Sequence, residues 1–224
     1  MRPLAAGREW RLTGGSLSIQ VSLGRLPGAP ATSGLRTANE QWSIDSRYRA
    51  RMDIQIHAPF LGDAQELLAF ETRNRAWFES LINAREPSYY SEEGIRTAIA
   101  KACDARVADR GYQFLVRAGR RLVGRVNLHH VRRSHFECAE LGYRVDRSEN
   151  GRGVASRAVA LCLAEAFGPL RLWRIEAVAR ADNPGSRRVL ERSGFAPIGV
   201  SRRSFQLEGA WHDRVHYELH RESA

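Results

Sequence analysis

Apolar and polar residues follow two rhythms along this chain, and the points where one replaces the other mark its elements. Residues 53–57 alternate with a period of two, as a half-buried strand requires, and Pro59 with Gly62 ends the run. Leu67, Phe70, Trp77, Phe78, Leu81 and Ile82 then fall near one face of a helix. Asp63 is placed to cap it, with Glu66 as the capping-box partner. Ser91 and Glu93 open a second helix that runs to about Ala108. The period returns to two at residues 112–117 and 122–128, joined by a short glycine-containing turn, which predicts a hairpin. Residues 136–145 form a further strand beyond the basic linker 132–135. Helical spacing runs from Val154 to Phe167, where Gly168 and Pro169 stop it. Residues 172–179 are the next strand, and 183–193 a short helix with Pro184 in its first turn and Gly194 at its end. Two strands, near 196–205 and 211–220, finish the chain. Many hairpins and one strand–helix–strand crossover predict an α/β or α+β domain.

The most informative stretch is LGYRVDRSENGRGVASRAVALCLAEAF, residues 141–167. It passes from an apolar strand through a polar loop holding Gly151 and Gly153 into a helix. A helix start leaves backbone N–H groups unpaired and carries partial positive charge, and glycines let a ligand approach the backbone closely. A phosphate or pyrophosphate suits such a place. Two glycines before a helix also make an ordinary tight turn, so the loop alone does not decide.

Composition narrows the picture. At 224 residues one substantial core is expected, with room for an appendage. Residues 1–50 are rich in Gly, Ser, Pro and Ala and keep neither rhythm beyond a short alternation at 17–23, so residues 1–51 read as a poorly ordered or misassigned extension. A basic arm touching RNA is the competing idea. The formal charge of +10 invites a nucleic-acid or acidic partner, but Lys101 is the only lysine, and an arginine bias of this kind fits GC-rich coding. Half of the excess lies in residues 1–51, where eight arginines face Glu9, Glu40 and Asp45. Cys103, Cys138 and Cys162 have no CxxC spacing, so three reduced thiols and no metal are expected. There is no apolar run of membrane-spanning length, and the arginine-rich start lacks the apolar core of a signal peptide.

Several motifs then combine: RNRAWF at 73–78, GRVNLHHVRRSHF at 124–136, AELGYRV at 139–145, NGRGVASRA at 150–158, RIEAVARADNPGSRRVLERSGF at 174–195 and GAWHDRVHYEL at 209–219. In this order, with the glycine loop between the fourth strand and the third helix, they resemble the GCN5-related N-acetyltransferase (GNAT) family. The closer resemblance is to its RimJ/RimL type, which acetylates N-terminal residues of ribosomal proteins. The resemblance covers 52–224 as one domain. It implies a single mixed, mostly antiparallel sheet of about seven strands flanked by about four helices. That sheet should splay between the strands at 136–145 and 172–179.

The resemblance also assigns roles. The backbone of Leu141, Tyr143 and Val145 pairs with the pantetheine arm of acetyl-CoA, and the amides of Gly151, Arg152, Gly153, Val154 and Ala155 hold its pyrophosphate. Arg152 can also neutralise phosphate charge. The chain departs from the Q/R-x-x-G-x-G/A pattern, with Ser148 in place of the usual Gln or Arg and Asn150 before the first glycine. This weakens side-chain support and leaves the amide cradle. Asn183 matches an asparagine that contacts the cofactor arm, and Ser186 a serine assigned as general acid; both also suit a helix start. Direct attack needs an acceptor for the amine proton. Glu140, beside the expected cofactor strand, is the candidate base, with ordered water as the alternative. Tyr143 is an alternative acid, although tyrosine at strand spacing is commonly core. Trp211 and Asp213 resemble a late family motif near the acceptor groove, and more simply read as a packed tryptophan and a turn-holding aspartate. His212, His216 and His220 have helical metal spacing in a segment that reads as a strand.

The expectation is therefore a cytoplasmic, acetyl-CoA-dependent acetyltransferase, monomer or homodimer, without metal or membrane partner. Its acceptor is a protein N-terminus, with a ribosomal protein and a ribosome contact in view. The rival acceptor is a small amine such as an antibiotic or polyamine. A dinucleotide module fails at Ser156, where GxGxxG needs a third glycine. A noncatalytic RNA binder would need aromatic and basic residues interleaved on one surface, and no such cluster is read along the chain.

Overall fold

The computed structural model describes residues 53–221, and the expectations for residues 1–51 lie outside them. Seven strands form one sheet: β1 (Ile54–His57), β2 (Tyr112–Ala118), β3 (Arg121–Arg132), β4 (Cys138–Val145), β5 (Arg174–Arg180), β6 (Ala196–Leu207) and β7 (Ala210–His220). Their order is β1-β2-β3-β4-β5-β7-β6, and all neighbours are antiparallel except β4 and β5. The helices are α1 (Ala64–Arg73), α2 (Arg75–Glu79), α3 (Glu92–Val107), α4 (Val154–Phe167) and α5 (Pro184–Arg192). The single parallel pair needs a crossover, and α4 supplies it. Among the described residues no helix is long and apolar enough to cross a membrane.

Five helices replace the expected four because the first helical pattern breaks at Asn74. This buried residue has φ −102° and ψ 3°, and its side chain donates to the Phe70 carbonyl at 3.0 Å. Its Oδ1 accepts from the Arg147 amide at 3.0 Å, so the break ties α1 to the loop after β4. The capping box at Asp63 is not formed. Asp63 accepts from the Phe60 amide at 3.0 Å and pairs with Arg117 at 3.1 Å, while Glu66 accepts from the Leu122 amide at 2.9 Å. A charged partner on the hairpin wins both carboxylates from the helix start. Ser91 does cap α3, accepting from the Gly94 amide at 3.0 Å.

Strand alternation sends β3 and β4 side chains to two faces. Val126 and Leu128 on β3, with Ala139 and Leu141 on β4, pack against Val154, Ala158, Val159, Cys162 and Ala166 of α4. Burying such side chains stabilises the fold by about 1.5–3 kcal/mol for each of the larger ones. On the opposite side, Leu115 and Leu122 meet Leu67 and Phe70 of α1 and Ile95 and Ile99 of α3. Cys138 and Cys162 are buried free thiols, and burial pushes Cys162 up to about 12, which keeps it neutral.

Candidate active site

The parallel pairing of β4 with β5 runs only from Cys138 opposite Arg174 to Leu141 opposite Ala177. Beyond Leu141, β4 stays paired with β3 as far as Val145, while β5 follows β7. From Gly142 onward one edge of β4 therefore lacks a neighbouring strand, at the place where a splay was expected. The gap opens into a cavity of about 750 Å³, inside the range of small-molecule sites of about 300–1,000 Å³. Its walls include Leu141, Gly142, Tyr143 and Val145 of β4, the start of α4, the start of α5, and Trp77, Phe78, Leu81 and Ile82 in and after α2.

The loop between β4 and α4 is shaped by conformation. Gly151 and Gly153 have φ of 74° and 80°, a left-handed region that favours glycine, and a Cβ at either would meet nothing within 4 Å. Gly153 is the residue before α4 and has no side chain to cap it, so the first-turn amides of Val154 and Ala155, two residues that line the cavity, have no helical partners. Ser148 is spent on Asp146, to which its hydroxyl donates at 2.8 Å. Burial opposes ionisation of Asp146, but the Ser148 amide, Arg73 and the Ser148 hydroxyl hold its pKa down at about 2. Arg152 does not line the cavity: its exposed side chain turns back to Glu149 at 3.7 Å, so a carboxylate takes the charge expected for phosphate.

Tyr143 and Ser186 meet across the gap. The tyrosine Oη lies 2.9 Å from Ser186 Oγ and donates to the Ser186 carbonyl at 3.1 Å. Burial pushes the phenol up to about 12, so it remains a proton donor at neutral pH. Asn183 caps α5, accepting from the Ser186 amide at 3.0 Å, and this fixes Ser186 at the cavity wall.

The other face of β3 and β4 is polar. Arg125, Asn127 and His129 of β3 stand opposite Arg144, Gly142 and Glu140 of β4. Beneath them Arg125 is paired to buried Glu71, which also accepts from Tyr89 at 3.1 Å, and Arg144 lies 3.6 Å from Glu71. Burial raises the Glu71 carboxyl, and the charges of Arg125 and Arg144 with the Arg125 hydrogen bond overcome it, leaving the pKa below the ordinary value. Burial and the charge of Arg125 push Arg144 down to about 10. Two guanidiniums against one carboxylate leave positive charge under the cavity floor. Glu140 lines the cavity, with its Oε2 3.3 Å from His130 Nδ1.

Sequence reading named only Glu140 on this face. The missed signal is the alternation R-V-N-L-H over residues 125–129, which puts three polar residues on one side of an otherwise buried strand. Other expectations change too. Trp211 is exposed rather than packed, while Asp213 holds its hairpin by accepting from the Arg203 amide at 2.8 Å. His212 turns to Asp182, His216 to Ser201 and His220 to Trp173. Exposed Phe136 and Trp173 lie under Arg132, the last residue of β3, and Arg221, which follows β7, two aromatic–basic pairs brought up by different parts of the chain.

The model of the acetyltransferase (GNAT) domain family matches residues 55–196. The Bacillus subtilis protein named "Probable N-acetyltransferase YjcK" is 37% identical over 153 residues, covering 67% of this chain and 84% of that protein. The Escherichia coli ribosomal-protein-serine acetyltransferase is 26% identical over 163 residues, 71% of this chain and 88% of its own. In fold, the Vibrio fischeri ribosomal-protein-S5-alanine acetyltransferase superimposes with TM-score 0.72 at 23% identity, covering 75% of this chain and 93% of that one. Mycobacterium smegmatis RimJ, solved in complex with CoA-disulfide, gives 0.71 at 23%, covering 75% and 82%. With its open β4 edge and glycine-led helix start, this chain belongs to the GNAT N-acetyltransferase family.

Proposed function

We propose that this chain transfers the acetyl group of acetyl-CoA to the N-terminal α-amino group of a cytoplasmic protein, with a ribosomal protein as the acceptor class, by direct attack in a ternary complex. The observation that carries the reading is the unpaired edge of β4 from Gly142 to Val145, which leads from the mid-sheet gap to the glycine-opened start of α4. An extended amide-bearing arm fits the free groups of such an edge as an added strand, and a pyrophosphate fits first-turn amides at a positive helix end. Acetyl-CoA supplies both, along with the thioester that is to be cleaved. Leu141, Tyr143 and Val145 lie along the arm, Gly151, Gly153, Val154 and Ala155 hold the pyrophosphate, and Asn183 flanks the arm from α5. The ribosomal acceptor is supported by the activity named for the E. coli relative.

The two faces of β4 divide the chemistry. On the α4–α5 side, the Ser186 hydroxyl stands at the cavity wall 2.9 Å from Tyr143 Oη, and its proton serves the departing sulfur. On the polar side, Glu140 supplies a carboxylate beside the route of the amine. As the N–C bond forms and the C–S bond breaks, the amine loses one proton to this side and the thiolate gains one from Ser186. The buried surplus of positive charge from Arg125 and Arg144 disfavours an ammonium and favours the neutral, attacking amine.

Mass spectrometry tests the reading: purified protein, acetyl-CoA and a panel of N-terminal peptides beside free polyamines and aminoglycosides. A gain of one acetyl group on a peptide α-amine is expected. Acetylated small amines with untouched peptides refute the acceptor class, and no transfer with no CoA binding refutes the assignment to acetyl-CoA.

A further inference from the structure

Gly142 is the first residue of the open β4 edge, so the acyl end of an arm lying along that edge sits beside it. On the polar face, its missing side chain makes room for the His129 ring. A Cβ built there would lie 3.3 Å from His129 Nε2 and 3.5 Å from its Cδ2, so the imidazole leans over the glycine from the neighbouring strand. Glu140 is His129's cross-strand partner and stands two residues back along β4, farther from the open edge. Asn127 is the cross-strand partner of Gly142 itself. It is 6% exposed, its Oδ1 is buried without a hydrogen-bond partner, and the residue lines the cavity. Buried polar atoms are nearly always paired, so this one calls for a donor.

We infer that the cavity wall beside Gly142 receives the acceptor's primary amine, where Asn127 accepts one N–H and His129 takes the proton released on attack. Glu140 is then a positioning residue that stabilises the imidazolium from one pleat away. This rests on the acetyl-transfer reading above and deepens it. The charged neighbours of His129 are Glu140 and Arg144 from β4 and Arg125 and His130 from its own strand, with Glu71 of α1 behind Arg125. Partial desolvation lowers its pKa, Glu140 opposes this, and His130 and the two arginines add to it, so the ring is neutral and able to accept a proton at pH 7. The step balances: the amine nitrogen bonds the acetyl carbon, the C–S pair leaves on sulfur, one proton goes to His129 and one comes from Ser186.

The test is the pH dependence of kcat for the full chain with whichever amine the wild type accepts. His129→Gln should lower kcat by about a hundred-fold or more, the usual worth of a general base, and remove the acidic limb that wild type shows below about pH 6.5. Glu140→Gln should keep that limb and move it to lower pH, because the carboxylate raises the imidazole's pKa. Asn127→Ala should raise the amine's KM about ten-fold with a smaller change in kcat. Unchanged CoA affinity by calorimetry certifies each variant's fold. The inference is overturned if His129→Gln keeps the limb, or if Glu140→Gln abolishes it while His129→Gln does not. Failure of wild type to acetylate any peptide strikes the acceptor reading instead, and leaves the His129 comparison measurable on a small amine.

Discussion

Glu71 gives a quantitative check on the polar face, because the structure buries it completely and sets two guanidiniums against it. Removing one partner of a buried pair costs about 3–5 kcal/mol, since the remaining charge stays out of water. In Glu71→Gln the amide oxygen still accepts from Arg125 and Tyr89, and Arg144, with its side chain 19% exposed, can turn toward cavity water. Both effects favour the lower end, about 3 kcal/mol, or a fall in Tm of about 6–12 °C for a domain of this size. Urea unfolding followed by circular dichroism reads the loss. The carboxyl pKa is lowered in the folded state, so its contribution is present above the unfolded value of about 4.3 and is lost as pH falls through the folded value. The gap between wild type and Glu71→Gln should therefore be full at pH 7 and close in acid. A loss below about 1 kcal/mol at pH 7, or a gap that does not close, would refute the claim that Glu71 is held as a carboxylate by Arg125 and Arg144.

Two further perturbations address the cofactor side. Gly153→Ala forces a Cβ into the left-handed region, which costs about 1–2 kcal/mol and is partly offset by a stiffer unfolded chain, so a net loss of about 1 kcal/mol is expected. The methyl also enters the amide cradle, and CoA affinity measured by calorimetry should fall about ten-fold; unchanged affinity would remove the cradle from the proposed site. Ser186→Ala should lower kcat by only about ten-fold, below the usual range for a general acid, because a thiolate leaves readily near neutral pH. Tyr143→Phe should cost less, and the double variant no more than Ser186→Ala, since one proton path serves both; additive losses in steady-state kinetics would show two independent donors.

The fold was legible because its signals are local. Hairpin periods, the stop at Gly168–Pro169 and Pro184 at a helix start placed the elements, and the open gap between β4 and β5 stands where the family resemblance put it. What escaped was decided by tertiary partners. Asp63 and Glu66 suit a capping box, but Arg117 and the Leu122 amide lie far along the chain and bind more strongly than a helix amide. Asn74 looked like any mid-helix polar residue until the Arg147 amide arrived from beyond β4. The polar row of Asn127 and His129 was visible as alternation, yet only cross-strand register placed it beside Gly142. Arg152 illustrates the opposite case: it lies in the glycine loop, and Glu149 draws its side chain away from the cavity.

Register is what holds the two halves of the proposed reaction together. Along β4, Leu141, Tyr143 and Val145 point toward α4 and α5, and Glu140, Gly142 and Arg144 toward α1, so a slip of one residue would exchange the faces. It would place Gly142 among the core residues around α4 and drive Leu141 into the charged cluster around Arg125. The buried apolar face therefore fixes the polar one. β3 absorbs its mismatch as a bulge between His129 and Arg132, past the last residue of the polar row, so the irregularity does not disturb the pairs Asn127–Gly142 and His129–Glu140. The firm edge of β4 toward β3 sets where an amine can be received, and its free edge toward β5 sets where a thioester can lie. Gly142 borders both, which is why the smallest residue of the strand stands there.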